Sequence, residues 1–300
     1  VTRGDGPLTL RRLRLLVALA DHGTVTAASR AARVTQPAFS QSLRALERHF
    51  GVPMTRRVGR RVVLTEAAQT VVGYARRVTR LVDESEAAVR DLLGLKAGSL
   101  AIGASTTPGT YLLPRLMGAF RSRFPAVELH LRIGDTREVE EWVLRGLVDF
   151  GVIGQTAEPL GLVLTPIRRD RLVLVAPRRH PLALARQVLP RDLAAHPLIV
   201  REPGSSTRET LERALAARGL SLALLFELGS TEAILRAVSA GLGPSVVSEL
   251  AVAGPALRGV VVRRVAGLEL ERYLALAQHP DAQPSAAAEE FMRALRSGAP

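Results

Sequence analysis

Thr35-Gln36-Pro37-Ala38-Phe39-Ser40-Gln41-Ser42-Leu43-Arg44-Ala45-Leu46-Glu47-Arg48-His49-Phe50-Gly51 reads as one helix with both of its ends written into it. Thr35 is of the type that caps a helix start, since its hydroxyl can accept from an amide two or three residues on. Pro37 suits a first turn, where the missing N–H is not needed. Phe39, Leu43, Leu46 and Phe50 recur at steps of three and four, which gives one buried face, and Gly51 marks the stop.

Working outward from this helix, Thr24 and Thr26 can cap a short helix through Ala27-Ala28-Ser29-Arg30-Ala31-Ala32, whose small side chains allow close approach. Arg33-Val34-Thr35 joins the two. An earlier helix runs from Leu10 to Asp21, with Leu10, Leu13, Leu16, Val17 and Ala20 at helical spacing and Gly23 where a helix commonly ends. Two short helices joined by a tight turn, the second opening with polar residues, form a helix-turn-helix pattern. Thr35, Gln36, Pro37, Ser40, Gln41 and Arg44 are its candidate DNA-facing residues: Gln matches adenine, Arg matches guanine or phosphate, and hydroxyls bond phosphate oxygens. The alternative is a solvated face on an ordinary three-helix core.

Next comes Thr55-Arg56-Arg57-Val58-Gly59-Arg60-Arg61-Val62-Val63-Leu64, two extended pieces about a glycine turn. Arg56, Arg57, Arg60 and Arg61 around that turn have the character of a wing gripping a phosphate backbone. The charge agrees. Residues 1–61 hold twelve Arg against Asp5, Asp21 and Glu47, so +9 of the chain's +13 lies in its first fifth. A general arginine bias is the competing account, Lys96 being the only lysine.

Thr65 and Glu66 open a long helix in which Ala68, Val71, Ala75, Val78, Val82, Ser85, Val89 and Leu92 form a seam. Its length predicts dimerisation, unless the helix folds back on its own domain. Leu93 to Gly98 reads as a linker. Beyond it, strands at Leu100–Ala104, Val127–Ile133 and Val148–Ile153 alternate with helices at Tyr111–Arg123 and Glu138–Gly146. The alternation resumes with Leu172–Ala176, Leu198–Arg201, Arg208–Arg218, Leu222–Leu228, Ala233–Ala240 and Pro244–Ser248. Open α/β sheets with ligands at the carboxyl ends of the strands follow from such a pattern.

Other chemistry finds no support. Cysteine is absent, the six histidines show no paired metal spacing, and neither a Walker-type nor a Gly-x-Ser-x-Gly motif occurs, so no catalytic residue, metal or cofactor is expected. No apolar run approaches a membrane span, and Val1 to Gly6 lack the apolar core of an export signal, so a cytoplasmic address is expected. The second part alone would fit a solute-binding protein; the basic first module argues against that.

The same residues carry a family resemblance. Leu13-Arg14-Leu15-Leu16-Val17-Ala18-Leu19-Ala20, Thr26-Ala27-Ala28, Thr35-Gln36-Pro37-Ala38-Phe39-Ser40, Leu46-Glu47, Phe50-Gly51-Val52-Pro53, Gly59-Arg60-Arg61 and Leu64-Thr65-Glu66-Ala67 resemble the DNA-binding half of LysR-type regulators. Tyr111-Leu112-Leu113-Pro114, Phe124-Pro125, Gly146-Leu147-Val148-Asp149 and His180-Pro181-Leu182 are similar to stretches of that family's effector domain. Thr55 stands where the family usually has an aromatic residue, and Ala68 where it commonly has glycine.

The resemblance implies an all-α winged helix-turn-helix at 1–65, a dimerisation helix and hinge at 66–95, and an α/β effector domain at 96–300, two-lobed like periplasmic binding proteins. Lobe one would comprise about 96–168 and 271–300, and lobe two about 169–270. The chain would cross outward near Arg168–Arg171 and return near Leu268–Arg272, with a terminal helix at Gln283–Arg296. Implied partners are a double-stranded inverted-repeat DNA operator, a small-molecule effector, further copies in a homodimer or homotetramer, and RNA polymerase. Three hydroxyl-rich segments at strand-to-helix junctions are the candidate effector site: Ser105-Thr106-Thr107, Ser205-Ser206-Thr207 and Ser230-Thr231. Helix starts and hydroxyls suit an anion. Taken singly they also read as helix caps, Ser206 and Glu209 having capping-box spacing. Ala104-Ser105-Thr106-Thr107 and Gly229-Ser230-Thr231-Glu232-Ala233-Ile234 are similar to stretches in regulators of inorganic-nutrient and carbon assimilation.

Overall fold

The computed structural model describes residues 8–58, 61–92, 98–156, 159–254 and 258–298. The chain divides into two compact units, Val1–Leu95 with Arg145–Leu147, and Lys96–Leu144 with Val148–Pro300.

The first unit opens with α1 (Leu10–His22), α2 (Val25–Ala31) and α3 (Gln36–Phe50). Each start is held by a threonine hydroxyl: Thr9 accepts from Arg12 N, Thr24 from Ala27 N and Thr35 from Ala38 N. Gly23 and Gly51 end α1 and α3 at φ +70°, a left-handed conformation that a side chain resists. β1 (Thr55–Val58) and β2 (Arg61–Leu64) pair antiparallel, Thr55 opposite Leu64. Thr65 fastens this ribbon to the next helix, donating to Pro53 O at 2.8 Å and accepting from Ala68 N at 3.1 Å. The expected turn residues Gly59 and Arg60 lie outside the described residues, as does most of the expected linker, 93–97.

The long helix α4 (Glu66–Leu92) divides its seam between two tasks. Ala68, Val72 and Ala75 are buried with Leu16, Leu46 and Met54, so its first turns complete the core of the DNA-binding module. The fully buried Ala68 occupies the site where the related pattern has glycine. Val72 rather than Val71 fills the core position, a shift that the 3.6-residue period allows where a strict heptad does not. Beyond Ala75 the apolar side chains Val78 and Leu81 are exposed, as is Tyr74. The side chains of Val89 and Leu92 lie outside the description.

Among the described residues the second unit is a sheet of nine strands in two halves, covered by helices. The first half is built from β3 (Gly98–Ser105), α5 (Thr106–Tyr111), α6 (Leu113–Arg123), β4 (Val127–Gly134), α7 (Thr136–Leu144) and β5 (Phe150–Gly154). Then β6 (Val163–Pro177) leads to the second half: α8 (Pro181–Leu184), α9 (Pro190–Ala194), β7 (Leu198–Val200), α10 (Ser206–Ala216), β8 (Leu224–Glu227), α11 (Thr231–Ser239), β9 (Ser245–Ser248) and β10 (Val260–Arg263). β11 (Glu271–Gln278) returns to the first half, where α12 (Ala286–Ser297) ends the chain. Strand order is β4-β3-β5-β11-β6-β9-β7-β8, with β10 beside β6.

β6 is the joint between the halves. Its residues Val163–Arg171 pair with β11, and from Leu172 onward it pairs with β9. Along the second stretch Leu172 and Leu174 face one core, with Leu198 and Leu211, while Val173 and Val175 face another, with Ile199 and Ile234. A strand buried on both faces reads as a continuous apolar run, which is why this part was recognisable. The first half has its own core of Ile102, Leu113, Phe120, Phe150 and Leu276, closed by Phe291 and Leu295 of α12. Each such side chain is worth about 1.5–3 kcal/mol when fully buried.

Three expectations are corrected here. Tyr111–Arg123 is not one helix: α5 ends at Tyr111 and α6 begins at Leu113, whose next residue, Pro114, suits a new first turn. The strand at Leu172–Ala176 is the end of a fifteen-residue strand that starts at Val163. Ser206 is not a helix cap; Ser205 takes that position at α10 and makes no side-chain capping bond.

Candidate functional site

On the first unit the candidate DNA-facing residues fall on the start of α3 and on the ribbon. Gln36, Pro37, Gln41 and Arg44 are exposed and Ser40 is half-buried. Thr35 caps the helix, which leaves its hydroxyl occupied at 3.4 Å from Ala38 N. Gln36 Nε2 donates to Thr26 Oγ1 at 2.9 Å, so a residue of α2 orients the first side chain of α3. Arg56 and Arg57 are exposed on β1; Arg61 opens β2, and Arg60 lies outside the described residues. The helix and the first strand of the ribbon therefore present exposed polar and guanidinium side chains, with Val58 and Val62 also exposed on the ribbon, a surface suited to phosphates and base edges.

On the second unit the hydroxyl segments sit at the carboxyl ends of parallel strands: Ser105-Thr106-Thr107 after β3 and Thr231 after β8. What gathers them is a pair of arginines that the motif reading did not single out. Arg201 follows β7, and its side chain is 4% exposed. It donates from Nη2 to Thr106 Oγ1 at 3.0 Å and from Nη1 to Thr231 Oγ1 at 3.1 Å, so one guanidinium ties the two halves of the sheet. Glu202 accepts from Nε at 2.7 Å and from Nη2 at 2.5 Å.

Arg272 lies on β11 with its side chain 3% exposed. It donates from Nη2 to Thr107 Oγ1 at 3.1 Å, from Nη1 to Ser206 Oγ at 2.5 Å and from Nε to Asp170 Oδ2 at 2.9 Å. Asp170, on β6 and wholly buried, also accepts from Ser248 Oγ at 2.5 Å. Burial pushes the Arg272 pKa down from its ordinary value; the Asp170 charge opposes this, and the Arg201 charge adds to it. Two guanidinium groups thus share one buried region, each paired with one carboxylate, Arg201 with Glu202 and Arg272 with Asp170.

Gly154, at the end of β5, makes the packing feasible. A Cβ there would lie 2.0 Å from Ser206 Oγ and 2.8 Å from Arg272 Nη1, closer than atoms approach. Its amide donates to Ser105 Oγ at 3.3 Å. At the rim, Tyr111 OH donates to Glu232 Oε1 at 2.6 Å, another link from α5 to α11; burial and that carboxylate push the phenol pKa up.

The hydroxyl segments therefore divide. Thr106, Thr107, Ser206 and Thr231 meet at the two arginines, and Ser105 holds the β5 amide. Ser230 is a cap, accepting from Ala233 N at 3.4 Å. Ser205 and Thr207 are buried beside Ser206 without a side-chain bond to either arginine. Among the described residues no group of three metal-ligating side chains gathers, and no helix is long and apolar enough to cross a membrane.

Comparison with known proteins adds the family. Residues 10–69 match the bacterial regulatory helix-turn-helix protein, lysR family, and residues 93–300 match the LysR substrate binding domain. A probable RuBisCO transcriptional regulator of Cyanophora paradoxa is 35% identical over 292 residues, covering 95% of this chain and 90% of that protein. Full-length CbnR, solved in complex with its target DNA, superposes with a TM-score of 0.69 at 23% identity, covering 97% of this chain and 100% of that one. The CcmR regulatory domain of Synechocystis PCC6803, solved in complex with 2-PG, superposes with a TM-score of 0.62 at 26% identity, over 67% of this chain and 97% of that domain. This chain belongs to the LysR family: it is a DNA-binding transcriptional regulator with a small-molecule effector domain, and not an enzyme.

Proposed function

We propose that this regulator acts in the cytoplasm on an inverted-repeat operator and that its effector is a small anion held between the two halves of the second unit by Arg201 and Arg272. The observation that carries this reading is the pair of buried guanidinium groups, each bonded to a hydroxyl from either half. An anion bonded to both would bind one arrangement of the halves better than another. That difference is what lets an effector alter operator affinity. The CcmR domain bound to 2-PG and the relatives named for RuBisCO regulation favour an anionic effector from carbon assimilation.

DNA contact falls to Thr35, Gln36, Pro37, Ser40, Gln41 and Arg44 for orientation and base edges, and to Arg56, Arg57, Arg60 and Arg61 for phosphates. Two half-sites call for a dimer, and the exposed Val78 and Leu81 of α4 supply an apolar stripe for it. A homotetramer pairs two such dimers, and RNA polymerase is the further partner of an activator.

Calorimetric titration of the full chain with 2-PG and inorganic phosphate, with and without an operator duplex, tests the effector reading. Arg201→Gln is expected to abolish the binding heat while leaving the ligand-free affinity for DNA intact. In the wild type, DNA and effector are expected to shift each other's dissociation constant by one common factor. An Arg201→Gln protein that binds as the wild type does would end the assignment.

A further inference from the structure

The two arginines of the site are neutralised in unlike ways. Asp170 is wholly buried, sits on the joining strand β6, and is held by Ser248 as well as by Arg272. Both oxygens of Asp170 are thus engaged inside the sheet, Oδ1 by Ser248 and Oδ2 by Arg272. Glu202 is the residue next to Arg201, in the loop between β7 and α10, with its side chain 21% exposed; among the described residues Arg201 is its one side-chain partner.

The geometry of this second pair is that of a ligand. Glu202 places its two oxygens on Nε and Nη2 of Arg201, the side-on, bidentate arrangement by which a guanidinium takes a carboxylate or phosphate. Its carboxylate also covers Gly229, lying 3.9 Å from where a Cβ would stand. Gly229 precedes Ser230 and Thr231, and Thr231 shares Arg201. The Arg201 edge that Glu202 occupies is therefore flanked by the Thr106 and Thr231 hydroxyls bonded to the same guanidinium, with a residue that has no side chain beside the carboxylate. Rotation of one partly exposed side chain about its own bonds would vacate that edge, with no strand or helix moved.

We infer that Glu202 is a built-in competitor for the effector: it holds the anion-binding edge of Arg201 in the ligand-free protein and must be displaced, so that the site admits dianionic oxyanions and rejects monoanions. This rests on the reading of Arg201 and Arg272 as the effector site. The selectivity follows from charge. A monoanion that replaces Glu202 exchanges one carboxylate bond pair for another and gains nothing in Coulomb energy. A dianion, such as a phosphate group or a dicarboxylate, brings a second charge that also reaches the field of Arg272, whose remaining donors are not taken up by Asp170, Ser206 and Thr107.

The test compares full-length wild type, Glu202→Gln and Arg201→Gln by calorimetry, with inorganic phosphate and acetate as probes in a buffer free of other polyanions. Gln keeps the shape and one acceptor while removing the competing charge. Glu202→Gln is expected to bind phosphate about tenfold more tightly than wild type, an effect of the order of one charged hydrogen bond, and to bind acetate measurably, so that discrimination between the probes narrows. Glu202→Asp, which keeps the charge but shortens the reach, is expected to lie between the two and serves as the second variant if Glu202→Gln melts early. If Arg201→Gln abolishes binding while both Glu202 variants bind phosphate no more tightly than wild type, the competitor is overturned and the effector site stands. If Glu202→Gln binds phosphate equally well with and without Arg201→Gln, the ion is adventitious and both readings fall.

Discussion

Replacing Arg272 by Met removes a cation from beneath a carboxylate that water does not reach. Asp170 would keep only the Ser248 hydroxyl, while Ser206 and Thr107 can rotate to other acceptors and the Met side chain fills most of the space. Loss of one partner of a buried ion pair costs about 3–5 kcal/mol, because the remaining charge is left uncompensated. For a unit the size of Lys96–Pro300, each kcal/mol moves the melting temperature by roughly 2–4 °C, so the transition of this unit should fall by roughly 6–20 °C. Differential scanning calorimetry of the full chain reads it, with the first unit's transition as internal control. The double variant Asp170→Leu with Arg272→Met should recover most of the loss, since it leaves no charge behind. A single variant melting within about 2 °C of wild type would refute the argument, because that is less than the effect of about 1 kcal/mol.

Replacing Val78 or Leu81 by Glu should leave the first unit folded, as both side chains are exposed, but should shift light scattering toward monomer and weaken operator binding through loss of the second half-site. An oligomer unchanged in both variants would place the interface elsewhere. His180 supplies a pH effect. Its Nδ1 accepts from Leu182 N at 3.2 Å, its ring meets His196 edge-on, and burial followed by the His196 charge pushes its pKa down from the ordinary 6.5. A folded pKa below the unfolded one means that the unfolded chain binds more protons, so stability is full above pH 6.5 and declines as pH falls through the folded value. Thermal melts between neutral and mildly acidic pH should show that decline, and His180→Asn, which keeps an acceptor for Leu182, should flatten it; equal slopes would dismiss the group.

The parts of this protein that could be read beforehand are those in which cause and effect are close in sequence. Thr24, Thr35, Gly23 and Gly51 act on residues within a turn of themselves, so the helix-turn-helix was legible almost to the residue. The hydroxyl segments were legible as strand-to-helix junctions for the same reason. Their sorting into a cap at Ser230 and arginine partners at Thr107, Ser206 and Thr231 was not, because the distinguishing atoms come from far away: Arg272 is 66 residues from Ser206 and 165 from Thr107. A signal for the arginines did exist. Arg272 interrupts an apolar strand between Leu270 and Leu274, and Asp170 is the single acid among Arg168, Arg169 and Arg171 just before an apolar run. Arg272 stands out as a charge on the buried face of β11, but in a chain with 41 basic residues an arginine draws no notice by its type alone. The first half of β6 shows no clean alternation: Val163, Leu164 and Ile167 are interrupted by Pro166, which argues against a strand, and are followed by Arg168, Arg169 and Arg171.

The joint between the halves of the second unit is a ladder, not a loop. Arg171 opposite Glu271 is the last rung on one side, and Leu172 opposite Ser248 the first on the other. Chain that passes from one body to another through paired strands resists shear and stretching, since either would break several backbone bonds at once, yet it yields to torsion about its own length. Any reorganisation of the halves is therefore a twist with a short travel. Asp170 and Arg272, facing each other on the two rails, would lie near the axis of such a twist, whereas Arg201 and Glu202 stand off the ladder and would travel further. A regulator built this way would behave as a torsion balance: its pivot carries the wholly buried charge pair, and its arm carries the pair proposed to give way to a ligand.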